Sequence, residues 1–202
     1  TIQRVVSPGG IEAWLVQDTT VPLIAMDFAF AGGTAQDPKA KPGIASLTTR
    51  LLDEGAGELD DQAFRARLEQ RAIELDFSAA RDTTRGSLRT LKENRDEAFS
   101  LLKLAVTAPR FDVEPLERIR TQILSSLRRE TTSPNSISSR RWWDTAFPGH
   151  PYSMQGNGTL ESVPTITADD LRGHVKRVLA RDKLKIAVVG DIDAATLGRA
   201  LD

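Results

Sequence analysis

Apolar residues recur at two different periods along this chain, and the changes of period divide it into elements. Ile11 to Val16 and Val21 to Phe30 are rich in β-branched and aromatic residues, which predicts two strands, and Gln17-Asp18-Thr19-Thr20 between them is a turn signal. In the second run Leu23, Ala25 and Phe28 interleave with Asp27, so one face should be buried more completely than the other. Gly32-Gly33 breaks this strand, and a polar loop follows through Asp37-Pro38 to Lys41-Pro42. Pro42 suits the first turn of a helix, and Ile44, Leu47, Leu51 and Leu52 then fall at helical spacing until Gly55-Ala56-Gly57. Asp60 is placed to cap a second helix striped by Phe64, Leu68 and Ala72.

Beyond it, Ile73 to Ala79 and Thr84 to Leu91 alternate as a hairpin around Arg81-Asp82. Asn94 opens a helix through Val106, with Ala98, Leu101, Leu102 and Ala105 on a broad apolar face, and Pro109 ends it. Asp112 is the expected cap of a long helix to about Glu130, whose inner side carries Val113, Leu116, Ile119, Ile123, Leu124 and Leu127. A further helix fits Asn135 to Ala146. Thr167 caps one reaching Leu179, Leu184 to Val189 reads as a buried strand, and a last helix starts near Asp193. Strands and helices come in clusters rather than in strict alternation. The expected class is therefore α+β, a mostly antiparallel sheet with helices packed against it.

Composition narrows the function. The 202 residues carry 27 Lys+Arg against 28 Asp+Glu, a net charge of −1, which sets up no field for nucleic acid or an anionic membrane surface. No apolar run approaches the ~18 residues of a membrane span. The absence of Cys excludes disulfides, thiolate metal sites and a Cys nucleophile, and two His are too few for a His-rich metal site. The length suits residues 1–202 as one domain. The helix still running at Asp202 and the start at Thr1 lead us to expect a fragment of a longer protein, with residues from about 183 leading toward a missing half.

Familiar catalytic signatures are missing. There is no G-x-S-x-G elbow, no phosphate loop and no dinucleotide fingerprint, and Gly55-Ala56-Gly57 follows a helix rather than a strand. Asn157-Gly158-Thr159 fits a glycosylation acceptor, but reads better as a turn. His150 in a Pro/Gly loop and His174 on a helix have no partner ligand at metal spacing, and read as structural or solvated residues. Arg128-Arg129 and Arg140-Arg141 have acidic neighbours and read as solvated helix faces. Of Trp142-Trp143, only one ring can point fully inward.

One stretch is more specific. Phe28-Ala29-Phe30-Ala31-Gly32-Gly33-Thr34-Ala35-Gln36-Asp37, followed by Lys41-Pro42-Gly43-Ile44-Ala45, resembles the lead-in to the inverted zinc motif of the pitrilysin/insulinase peptidases, the inverzincins, of mitochondrial-processing-peptidase type. The resemblance continues through the long helix Val113 to Glu130, the Phe147-Pro148-Gly149-His150-Pro151-Tyr152 loop, a Leu160-Glu161-Ser162-Val163 helix, and Ile166 to Leu171. It ends on the strand end Val188-Val189-Gly190-Asp191-Ile192. It implies the processing-peptidase-like metallohydrolase fold.

The motif itself is gone. Where the family carries H-x-x-E-H, this chain reads Ser46-Leu47-Thr48-Thr49-Arg50, and Ser126 stands where the resemblance implies the third, Glu ligand. Ser46, Arg50 and Ser126 thus replace the zinc ligands, and Thr49 the catalytic Glu. A Ser hydroxyl is a poor neutral ligand, a guanidinium repels a cation, and Thr takes no proton from water at neutral pH. The implied protein is a non-catalytic subunit with no cofactor of its own. Its partner would be a homologous zinc-carrying subunit, and it would help to enclose unfolded peptide. The hairpin strand resembles one that pairs with peptide in active relatives, which makes Phe77, Ser78, Ala79 and Ala80 the candidate contacts. The alternative is a purely structural homologue that only assembles. A periplasmic or cell-envelope location is expected from relatives, with the cytoplasm as alternative. Arg50 is expected to fill the missing ion's space and to pair with Glu54 or Glu130.

Overall fold

The computed structural model describes all 202 residues. Its strands are β1 (Ile2–Val6), β2 (Glu12–Gln17), β3 (Leu23–Ala31), β4 (Glu74–Ala79), β5 (Thr83–Leu91) and β6 (Leu184–Gly190). They form one sheet in the order β1-β2-β6-β3-β5-β4. Only β2 and β6 run parallel; every other neighbouring pair is antiparallel. The helices are α1 (Ile44–Thr49), α2 (Asp61–Gln70), α3 (Arg95–Thr107), α4 (Val113–Glu130), α5 (Pro134–Ala146), α6 (Ala168–Val178) and α7 (Ala194–Ala200). None of them is long and apolar enough to cross a membrane.

The hydrophobic pattern shows why the sheet has one covered face. Ile24, Met26, Phe28 and Phe30 of β3 are buried at every second position, joined by Leu15, Leu88, Ile186 and Val188 from the strands alongside. Phe64 of α2 and Ala98, Phe99, Leu101 and Ala105 of α3 close this core from the helical side. The opposite face keeps Leu23, Trp14 and Val189 exposed. Leu23 therefore lies opposite Phe28 rather than beside it, because the two are an odd number of residues apart on a pleated strand. A second core joins Ile44, Leu47, Leu51 and Leu52 to Leu116, Ile119, Ile123 and Leu127 of α4 and Leu171 of α6.

Several sequence expectations shift. Residues 2–6 add an edge strand that the pattern did not announce, since only Val5 in it is buried. β2 and β3 do not pair with each other, because β6 lies between them. Residues 184–190 are thus a central strand of the sheet. The helix after Pro42 is six residues long and ends at Thr49; the Thr49 hydroxyl donates back to Ser46 O at 3.1 Å, a bond that competes with helix propagation. Asp112 and Asn94 do not cap with their side chains. Asp112 accepts from Arg110 Nε at 2.6 Å, and the Asn94 amide donates to Arg71 O at 2.8 Å. The segment around Leu160 to Val163 forms only a short 3₁₀ turn at Val163–Thr165, where Pro164 supplies no amide hydrogen. The caps at Asp60, Thr167 and Asp193 form as expected.

Gly86 of β5 stands opposite both Phe28 and Phe77, whose rings meet edge to face at 6.0 Å. A Cβ there would lie 2.2 Å from the Phe28 ring. Gly86→Ala should cost about 1–3 kcal/mol by overpacking, read as a lowered urea midpoint at unchanged slope; an unchanged midpoint would show that the ring yields freely.

Candidate functional site

The site is built on the short helix α1. Asp37, buried in the loop after β3, accepts the Gly43 N–H at 2.8 Å and the Ala45 N–H at 3.0 Å, which satisfies the free amides that open α1. Burial pushes its carboxyl up to about 6, against the downward pull of those amides. Lys41 in the same loop bonds Asp170 of α6 at 2.7 Å. The segment Gln155–Ser162 lies across the start of α1. Ser162 Oγ donates to Pro42 O at 2.8 Å, and a Cβ on Gly43 would come within 2.9 Å of Gly158 Cα. Gly43, at φ +103°, is the residue type that this conformation and this approach both require.

The four residues matched to the motif by resemblance, Ser46, Thr49, Arg50 and Ser126, take distinct places around this clamp. Ser46 is buried, and its hydroxyl donates to Asn157 Oδ1 at 2.9 Å. Thr49 is buried, with its hydroxyl turned back to the helix. Arg50 is exposed at the C-terminal end of α1, and Ser126 is half-buried on α4. Arg50 and Ser126 line the same cleft of about 240 Å³, together with Ile123, Arg129, Glu130 and Asn157. Tertiary folding thus brings residues 46, 50, 126 and 157 to one place. No three His, Cys, Asp or Glu side chains gather there or elsewhere to share a metal ion.

The expected Arg50 ion pair does not form. Glu54 is buried and bonded to Arg65 and, at 2.8 Å, to Arg118 Nη2, which also reaches Asp61 at 3.2 Å. The expectation assumed a helix continuing through residue 54; α1 stops at Thr49, and Glu54 turns to the other side. Glu130 lines the Arg50 cleft without bonding Arg50.

Phe77, Ser78 and Ala79 of the candidate peptide contacts lie on β4, at the edge of the sheet, with α1 close by. Ala80 N–H donates to Thr83 O at 2.8 Å, which fixes the alternation of the ladder. Ser78 therefore turns its main-chain groups toward β5, whereas those of Leu75, Phe77 and Ala79 point to the open edge. Ala80 lies in the turn, and its carbonyl already accepts from Thr34 N at 2.9 Å, so it has no main-chain group to offer. At the far end of the hairpin, the Arg81 guanidinium sits 3.4 Å over the Trp143 ring, which also stacks on Phe147. Trp143 is the half-buried member of the Trp pair and Trp142 is 57% exposed. Sequence reading missed Asn157, Arg81 and Arg140 as parts of this region. The turn signal around Asn157 was the one mark that could have pointed there.

Residues 14–155 match the family model of insulinase, peptidase family M16. The chain belongs to this family. Its M16 relatives include the non-peptidase homolog YmxG of Helicobacter pylori, 31% identical over 172 residues, covering 85% of this chain and 40% of that protein. The crystal structure of an inactive M16 peptidase domain from Pseudomonas fluorescens superposes with a TM-score of 0.93 at 27% identity, over the whole chain and 49% of that one. A protease from Helicobacter pylori shares the fold at a TM-score of 0.87 and 20% identity, over the whole chain and 49% of its own. The chain thus spans half or less of the length of these M16 proteins.

Behind α1 sits His174 of α6, 1% exposed, with neither ring nitrogen bonded. Burial, helped by nearby Arg177, lowers its pKa from 6.5 to about 4. The folded state therefore holds it neutral; this stability is present above about pH 6.5 and is lost as pH falls toward 4. Asp37 and Asp53, both raised to about 6 chiefly by burial, act with the opposite sign as pH rises between about 4 and 6. Comparing wild type with His174→Leu isolates the histidine. Lowering the pH from 7 to 5 should destabilise wild type more than the variant, by roughly 2 kcal/mol in urea unfolding; parallel profiles would contradict a buried neutral His174.

Proposed function

We propose that this chain is the domain of a non-catalytic M16 subunit that works beside a homologous zinc-carrying subunit and holds part of the peptide substrate. The observation that carries this reading is a kept scaffold with an erased donor set. The Asp37 cap and the edge strand remain, while Ser46 gives its hydroxyl to Asn157, Arg50 brings a permanent positive charge, and Thr49 and Ser126 offer only alcohols. Zinc takes imidazole, thiolate or carboxylate, and none stands at these positions. The residues do not fit the ion. The names borne by YmxG and by the Pseudomonas fluorescens domain support the non-catalytic part of this reading.

What the chain offers a substrate is main chain. An extended peptide laid along β4 would meet the free N–H and C=O groups of Leu75, Phe77 and Ala79, which gives affinity without a catalytic residue. Exposed Trp142 and Ile137 on α5 speak for the assembly role, as a face that another subunit would cover.

The full-length protein, equilibrated with zinc and dialysed, should retain far less than about one ion per chain, and Ser46→His alone should not change this, since the other positions still lack donors. Retention of a full equivalent with micromolar or better affinity would overturn the reading. In a cleavage assay on unfolded peptide, the subunit alone should be inert, and adding it to its zinc-carrying partner should raise the rate above that of the partner alone. Cleavage by the subunit alone, surviving removal of co-purified peptidase, refutes the proposal; equal rates for partner and mixture leave only the assembly role.

A further inference from the structure

We infer that the cleft beside the erased motif receives the acidic side chains of an extended peptide, so that a place built around a cation in active relatives here accepts anions. The inference deepens the peptide-holding reading and rests on it. The Arg50 cleft adjoins a larger one of about 420 Å³, since Leu127, Glu130 and Asn157 line both. Arg81, Arg140 and Trp143 line the larger part. Four arginines therefore line two adjoining clefts: Arg50 and Arg129 the one at the α1 end, Arg81 and Arg140 the one at the hairpin end.

None of the four holds a carboxylate, unlike Arg4, Arg65, Arg89 and Arg118; Arg85, Arg128, Arg141, Arg177, Arg181 and Arg199 are also without one, so what sets the four apart is that they line neighbouring concave surfaces. In a chain with balanced charge, cations gathered without partners on a concave surface form a local positive field. Three carboxylates oppose the four cations: Glu130 in the cleft, Glu161 in the adjoining recess with Arg140, and Asp82 beside Arg81, which accepts from the Tyr152 hydroxyl at 2.6 Å and keeps its charge.

Two of the arginines are held in place without being neutralised. Arg81 lies over Trp143 and donates Nε to Tyr152 O at 3.4 Å, and Arg140 Nη2 donates to Gln155 Oε1 at 2.7 Å. Each keeps further N–H groups to offer, and fixing the fork beforehand lowers the ordering cost of a carboxylate bond. Arg81 follows β4 by two residues, so a peptide paired with Leu75, Phe77 and Ala79 runs off the strand into this cleft. Side chains flanking the paired segment would meet the four cations.

The test is fluorescence anisotropy with the full-length protein and three labelled peptides of one length, in which the flanking positions are Glu/Asp, Gln/Asn or Lys. The acidic peptide should bind about tenfold tighter than its amide counterpart at low salt, with the advantage shrinking several-fold as ionic strength rises. Arg81→Gln, Arg140→Gln and Arg50→Gln should each weaken the acidic peptide about threefold to tenfold and leave the amide peptide unchanged. Arg4→Gln, at the far edge of the sheet, should alter neither. Equal affinities for the acidic and amide peptides, or preference for the Lys peptide, would overturn this inference and leave the peptide-holding reading standing. No binding of any peptide would remove both. Complete displacement of the acidic peptide by millimolar free glutamate would show a small-anion site and also overturn it.

Discussion

Asp37 takes the first amides of α1 into a buried carboxylate, and much of the site depends on that one contact. A helix of six residues has too few internal hydrogen bonds to persist alone. Its start is therefore fixed from outside, by Asp37 on one side and by the Ser162 hydroxyl on Pro42 O on the other. With the start held, Ile44 and Leu47 point into the second core, and residues 46 and 50 are set toward α4 and the Asn157 loop. Loss of the Asp37 carboxylate would free the opening turn and, with it, everything that α1 positions.

This constraint is indifferent to the chemistry that the helix carries. The cap acts on backbone amides, and the core contacts use apolar residues at positions other than 46, 49 and 50. Metal ligands could thus be exchanged for Ser, Thr and Arg at little cost to the frame. Ser46 even gains a partner, since Asn157 Oδ1 accepts its proton in a buried place where an unbonded hydroxyl would be costly. Arg50 needs no partner because it reaches solvent.

The charged residues of the frame are settled differently from those of the cleft. Glu54, though buried, is surrounded by Arg65 and Arg118, which offset its desolvation. Two of the cleft arginines have aromatic or amide neighbours instead: Trp143 under Arg81 and Gln155 beside Arg140. These neighbours orient a guanidinium while leaving its charge available, because neither a ring face nor an amide oxygen cancels it.

Much of the fold was legible in the sequence. The caps at Asp60, Thr167 and Asp193, the hairpin around Arg81-Asp82 and the alternation along β3 follow from local rules that act within a few residues, which the chain carries in its own order. Ser46, Thr49 and Arg50 could be matched to motif positions because they directly follow the lead-in that carries the resemblance. The sheet order was not legible. β6 inserts between β2 and β3 through pairing across more than 150 residues, which no local period encodes. Nor could the sequence show that Glu54 turns away from Arg50, because that depends on α1 ending five residues before it. The same holds for Asn157 beside Ser46 and for Arg50, Arg81, Arg129 and Arg140 around two adjoining clefts. Those neighbours come from separate elements, and only packing of α1, α4 and α5 around the Asn157 loop decides that they meet.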